Sequence, residues 1–246
     1  MNFIFIILTF LISAVIARIL IPRILLISLR KKLFDIPDDR KIHKRAIPRL
    51  GGVSFFPTTL FAFCLVYAFR LLDGNSISTL YASYLLPELL LFACGMTLLY
   101  LTGIADDLVG VRYRQKFAIQ IFCACLFPLS GLWINDLYGL FGIHELSAYV
   151  GIPFTVLTVV FITNAINLID GIDGLASGLS SVALLVFTFL FISKGLWSYA
   201  MLSAGTFGVL VPFFYYNVFG SVERARKIFM GDTGSMFLGY VIAAVS

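Results

Sequence analysis

Charge is what this chain most lacks. Only 13% of its 246 residues are Asp, Glu, Lys or Arg, about half the roughly 25% of an ordinary soluble domain. That is too little polar cover for a water-facing surface, so a soluble globular fold is excluded. Cysteine is sparse as well. Cys64, Cys94, Cys123 and Cys125 lie inside apolar runs without the spacing of a metal site or a disulfide framework, and they read as small hydrophobes. Histidine is limited to His43 and His144. The apolar runs lack the period-2 alternation of barrel strands, which argues against a β-barrel. No recognition module accompanies the basic loops, so nucleic acid is not an expected partner.

What is present is hydrocarbon: 60% of the residues are hydrophobic and the mean hydropathy is +0.99. About 20 helical residues cross a hydrocarbon core of about 30 Å. Seven runs meet that length, at about 3–29, 52–72, 85–104, 117–134, 149–168, 175–193 and 196–217. An eighth begins near Thr233 and has 14 residues up to Ser246, or roughly 21 Å of helix. The expected fold is all-α, a polytopic membrane helix bundle forming a single integral membrane domain over 1–246. It has seven complete transmembrane helices, part of an eighth, and its N-terminus outside.

Basic residues set that orientation. Arg30, Lys31, Lys32, Arg40, Lys41, Lys44, Arg45 and Arg49 share the first loop, while Arg112, Arg114 and Lys116, then Arg224, Arg226 and Lys227, fall on the same side. The opposite loops carry only Lys194. By the positive-inside rule the basic side is cytoplasmic, and it suits phosphates and anionic lipid heads. A cleaved signal peptide is the weaker reading of the first run, because no basic residue precedes it, although "AVIA" faintly resembles a cleavage site.

Four polar clusters gather on that side: "DDRKIHKRAIPRLGG" (38–52), "GIADDLVGVRYRQK" (103–116), "NAINLIDGIDGLA" (164–176) and "RKIFMGDTGSMFLG" (226–239). A channel or transporter would spread its acids through several depths of the membrane; here they converge on one face. Adjacent Asp106 and Asp107 repel unless a cation, a basic partner or solvent relieves them. With Asp170, Asp173 and Asp232 at the same level, a hard divalent ion held by oxygen ligands is a natural reading. Taken alone, each acidic pair reads equally well as a solvated helix end. Gly51, Gly52, Gly171, Gly174, Gly231 and Gly234 beside these residues allow sharp turns and close approach to a ligand, or close helix packing. Asn164, Asn167, Asp170 and Asp173 are spaced by threes, so on a helix neighbours are about 60° out of register and can touch.

In this order the four clusters resemble those of the polyprenyl-phosphate N-acetylhexosamine-1-phosphate transferases (glycosyltransferase family 4). The similarity runs from "DDRKIHKRAIPRLGG" to "GDTGSMFLG", and "PRLGG" is similar to the undecaprenyl-phosphate N-acetylglucosaminyl 1-phosphate branch. The muramoyl-pentapeptide branch is the alternative. The resemblance implies a Mg²⁺-dependent enzyme, with Mn²⁺ as the other candidate ion. Such an enzyme moves a sugar 1-phosphate from a UDP-N-acetylhexosamine to undecaprenyl phosphate and releases UMP. Its expected setting is the cytoplasmic face of a bacterial inner membrane, with lipid around it and a homodimer compatible with the fold.

By the same resemblance Asp106, Asp107 and Asp232 are catalytic, and Asp107, Asp173 and Asp232 are the metal ligands. Asn164, Asn167, Asp170 and Asp173 hold the nucleotide sugar, and Phe229 stacks on uracil, with an interfacial anchor as its plain alternative. Lys41, His43, Lys44 and Arg49 meet phosphates, or merely satisfy the positive-inside rule. The family continues into further helices and a later histidine-rich loop. A chain ending at Ser246 therefore reads as a fragment, or as a truncated relative that binds without turnover.

Overall fold

In the computed structural model the described residues are 2–31, 33–35, 47–73, 79–221 and 226–246. They form eight helices: α1 (Asn2–Arg30), α2 (Phe55–Leu72), α3 (Thr79–Val109), α4 (Tyr113–Leu129), α5 (Ala148–Ile169), α6 (Leu175–Ser193), α7 (Trp197–Val218) and α8 (Gly231–Val245). A 3-10 turn (Gly51–Ser54) leads into α2, and a two-residue hairpin pairs β1 (Phe34–Asp35) with β2 (Ile47–Pro48) antiparallel. Six helical segments are long and apolar enough to cross a membrane. The chain is thus an all-α, multi-pass membrane bundle.

Two boundaries differ from the expected ones, each for a local reason. The third span does not stop at 104: α3 continues to Val109 and carries Asp106 and Asp107 as helical residues, not as a loop. Gly110 ends it with φ +79°. The fourth span starts earlier and ends earlier, at Leu129 instead of 134. There Ser130 donates back to the Phe127 carbonyl and Gly131 turns away with φ +92°.

At the centre lie α7 and α8. The first packs on α1 and α6, the second on α3 and α5. Where hydrocarbon surrounds the bundle there is no net hydrophobic drive between helices, so close packing and hydrogen bonds must hold them. Tyr240 of α8 is 1% exposed. It stacks on Phe92 of α3 at 5.4 Å, meets Phe127 of α4 edge-on at 4.9 Å, and donates its hydroxyl to the Cys123 carbonyl at 3.0 Å. One ring thereby ties three helices.

The start of α8 is held even more closely. A side-chain carbon added at Gly52 would lie 2.7 Å from the Met230 carbonyl oxygen, and one at Gly103 would lie 2.7 Å from the Thr233 backbone nitrogen. Backbone therefore meets backbone at both places, and no larger residue leaves room. Gly51 and Gly52 also donate their N–H groups to the carbonyls of Phe229 and Met230 at 2.9 and 2.8 Å, and Phe229 donates to Pro48 at 2.8 Å. The first and fourth polar clusters are in this way zipped together by backbone hydrogen bonds.

Gly103→Ala is expected to lower the thermal midpoint in detergent, since over-packing a tight contact costs about 1–3 kcal/mol. Gly178→Ala, whose added carbon would lie at an ordinary 3.4 Å from Phe214, should leave the midpoint unchanged or slightly raised. Paired melting curves of the two variants check both outcomes.

Candidate active site

Asp106 and Asp107 are neighbours in sequence, yet successive helical residues diverge by about 100°, and the two carboxylates turn to different partners. Asp107, 7% exposed, points into the bundle. Its Oδ1 accepts the N–H of Asp232 at 2.9 Å, and its Oδ2 accepts the N–H and hydroxyl of Thr233 at 3.0 and 2.6 Å. These are N–H groups of the first turn of α8, which have no partner within their own helix. A carboxylate from α3 thus caps α8 in trans, where the helix dipole favours negative charge. Gly231, with φ +74°, makes room for it: a side-chain carbon there would lie 2.7 Å from Asp107 Oδ2.

Asp106 turns outward. Its Oδ1 accepts the Val111 N–H at 2.7 Å, and its Oδ2 accepts Lys116 Nζ at 2.9 Å. The same ammonium donates to Asp232 Oδ1. Lys116 therefore bridges two acids from different helices and supplies the cation that crowded carboxylates require. Asn167, near the end of α5, donates to Asp232 Oδ1 at 2.6 Å and to Ser235 Oγ at 2.7 Å. Asp232 is thereby fixed by its backbone, through Asp107, and by its side chain, through Lys116 and Asn167.

Asp170 caps the end of α5. Burial pushes its carboxyl well above the usual carboxylate range; the negative charges of Asp232, Asp107 and Asp173 push the same way, against a hydrogen bond from the Gly231 N–H. Asp173, in the loop after it, pairs with Lys227 and keeps its side chain 43% exposed.

The remaining expected residues divide. Asn164 lies off this cluster, donating to Gln120 Oε1 at 2.7 Å and to the Val160 carbonyl at 2.8 Å, so it braces α5 against α4. Phe229 is half-buried with its backbone engaged at both ends, and Arg49 is half-buried beside it. Lys41, His43 and Lys44 lie outside the described residues.

Asp107, Asp173 and Asp232 do not assemble as a metal-ligand set here, and among the described residues no group of three or more His, Cys, Asp or Glu is placed to hold an ion. The physical reason is visible in the partners. Both Asp107 oxygens are taken by α8, Asp173 faces Lys227 and Asp232 faces Lys116. The donor chemistry still suits a hard cation, because Asp170 offers half-buried carboxylate oxygens under repulsion from three other carboxylates.

Sequence reasoning gave Lys116 only a topogenic role and passed over Asn217. Asn217, 4% exposed, accepts the Gly174 N–H at 2.7 Å and donates to the Ile228 carbonyl at 3.0 Å. It fixes both acid-bearing loops to the end of α7. The available signals were a lysine ten residues after Asp106 and an amide at the end of an apolar run.

Asp107→Asn should lower the melting temperature more than Asp106→Asn, because an amide nitrogen cannot accept the buried α8 donors and an unmet buried bond costs about 1–3 kcal/mol. Thr233→Val should act on the same contact, so the double variant should fall short of additivity in a melting-curve cycle.

Relatives of known name share this chain. It is 32% identical over 242 residues to a probable undecaprenyl-phosphate N-acetylglucosaminyl 1-phosphate transferase of Bacillus subtilis (strain 168), covering 98% of this chain and 62% of that protein. It is 31% identical over 266 residues to a phospho-N-acetylmuramoyl-pentapeptide-transferase of Staphylococcus carnosus (strain TM300), covering 100% of this chain and 76% of that one. To an undecaprenyl-phosphate alpha-N-acetylglucosaminyl 1-phosphate transferase of Escherichia coli (strain K12) it is 29% identical over 218 residues, 85% of this chain and 53% of that protein. The chain thus spans about half to three quarters of the length of these relatives. The family model for glycosyl transferase family 4 matches residues 89–246, which take in Asp106, Asp107, Lys116, Asn167, Asp170 and Asp232, and the chain belongs to that family.

Proposed function

We propose that this chain carries the catalytic face of an enzyme that transfers a sugar 1-phosphate from a UDP-N-acetylhexosamine, N-acetylglucosamine or a close relative, to undecaprenyl phosphate. The setting we propose is the cytoplasmic face of a bacterial inner membrane. The observation that carries the reading is the convergence of Asp106, Asp170, Asp232, Lys116 and Asn167 around the first turn of α8. Acids and cations meet there at the ends of membrane helices, the level at which a lipid phosphate lies.

In the reaction an oxygen of the lipid phosphate attacks the β-phosphorus of the UDP-sugar. The bond from that phosphorus to the bridging oxygen breaks, and UMP leaves with the electron pair. Both reactants are anions, so positioning and charge compensation dominate catalysis. Lys116 and Lys227 supply mobile positive charge, each already paired with acids and able to transfer its donors to a phosphate. Asn167 keeps Asp232 in one orientation, and Asp107 keeps the α8 start in place, which makes it a positioning residue.

Mg²⁺, or Mn²⁺, would be held by Asp170 and Asp232 and would neutralise diphosphate charge. Arg49 and Phe229, brought together by the backbone zipper, would border the nucleotide. The muramoyl-pentapeptide reaction is the second reading, favoured by the 31% identity to the S. carnosus protein.

Membranes containing the protein, given undecaprenyl phosphate and UDP-N-acetylglucosamine, should release UMP, and Asp232→Asn should reduce release by at least about 100-fold, the scale of a lost electrostatic group. UMP from UDP-muramoyl-pentapeptide alone would select the second reading. Saturable UDP-sugar binding without any UMP would instead mark a binding protein.

The elevated Asp170 acidity gives a further test. Its proton must leave before a cation binds, so a Mg²⁺-induced rise in melting temperature should grow as pH rises through that raised value and then level off. In Asp170→Asn the pH dependence should disappear.

A further inference from the structure

A second cationic feature stands apart from the acid cluster, on the seam between α1 and α7. An apolar cavity of about 480 Å³ opens there, walled by Leu11, Val15, Ile19 and Val211, with Arg18 and Tyr215 in its lining. A second cavity of about 410 Å³ shares Arg18 and Tyr215 and adds Tyr216 and Arg226. The two meet at Arg18 and Tyr215, so the slot they make up is greasy along the first cavity and basic at the second. None of its lining residues belongs to the acid cluster.

Arg18 is the unusual member. A charge inside an apolar run is costly and calls for a partner. Its Nη1 donates to the Tyr216 hydroxyl, and its guanidinium carbon lies 5.6 and 5.3 Å from the Tyr215 and Tyr216 ring centres. Both tyrosines are neutral. They orient the guanidinium fork without cancelling its charge. The ion pairs among the described residues join Lys116 to Asp106 and Asp232, and Lys227 to Asp173, so Arg18 has no carboxylate partner among them.

Depth points to the missing anion. Arg18 is level with Tyr215 and Tyr216, near the end of α7 at Val218. Measured along α7, whose 22 residues make about 33 Å of helix, Arg18 lies near the basic-side end of one membrane crossing, within reach of lipid phosphates, and the apolar part of the slot runs from it back along α1.

We propose that this slot is a binding site for one anionic glycerophospholipid of that leaflet. Its phosphate rests on Arg18 and Arg226, and one acyl chain lies along Leu11, Val15 and Val211. A soluble phosphate would leave the apolar length unfilled. A lipid held here also lies against residues distinct from those of the acid cluster, which makes it a resident lipid and not a reactant.

The test uses the intact protein in detergent, stripped of lipid and titrated with phosphatidylglycerol, phosphatidylcholine, inorganic phosphate or undecaprenyl phosphate, with melting temperature and native mass spectrometry as readouts. Phosphatidylglycerol should raise the melting temperature more than phosphatidylcholine, inorganic phosphate should have no effect, and one phosphatidylglycerol should survive into the gas phase. In Arg18→Gln its binding should weaken about tenfold, the loss of one charged hydrogen bond. Arg226→Gln, at an exposed position, should weaken it as well and covers the case in which Arg18→Gln does not fold. Equal effects of the two phospholipids, an undiminished phosphatidylglycerol effect in both variants, or one-for-one displacement by undecaprenyl phosphate would each overturn the assignment. An effect of inorganic phosphate matching that of the lipid would do so too.

Discussion

A helix that begins inside a membrane bundle presents N–H groups that lipid cannot satisfy, and α8 begins in such a place. The carboxylate of Asp107 answers three donors there, one of them a hydroxyl. It reaches them from a different helix, so the bond that satisfies α8 also docks α8 on α3. Everything else at that end follows from where α8 starts. Asp232 is its second residue and Ser235 lies one turn later. Gly52 and Gly103 are glycine because the same start leaves no space between backbones.

Fixing one acid in this way crowds the others. Asp106, Asp170 and Asp232 are drawn toward one helix end, and repulsion among them must be met by cations or by protons. Lys116 takes the first course for Asp106 and Asp232. Asp170 takes the second, its carboxyl held protonated to higher pH by burial and by its neighbours. In the proposed reaction a site balanced by displaceable ammonium groups and one reluctant acid would exchange them for a metal and phosphates. That exchange is the physical link between the packing of α8 and the proposed transfer.

Much of this was legible in the sequence because hydrophobicity and charge act over whole segments. The membrane-crossing helices and the common side of the polar clusters come from run length and from lysine and arginine bias, which local detail cannot hide. The division of labour within clusters was not legible. Asp106 and Asp107 look alike in a string, and only a helix extending past residue 104 sends one to Lys116 and the other to α8. Asn164 and Asn167 look alike too, yet one braces α4 and the other orients Asp232. Lys116 carried a topogenic signal that concealed a second role, since a lysine that favours the basic side is also within reach of acids there. The zipper between Pro48–Gly52 and Phe229–Met230 is a backbone interaction, and side-chain identities scarcely encode it.

Two cations near the same membrane boundary show how neutralisation separates roles. Lys116 is paired with two carboxylates, so its charge passes only to a ligand that takes the place of those acids. Arg18 is oriented by two neutral rings and keeps its charge. A guanidinium held in that way at the mouth of an apolar slot attracts an anion that brings its own hydrocarbon. The aromatic clamp on Arg18 and the carboxylates on Lys116 differ in this sense: one leaves a charge open to the bilayer, and the other holds it until a ligand takes the place of the acids.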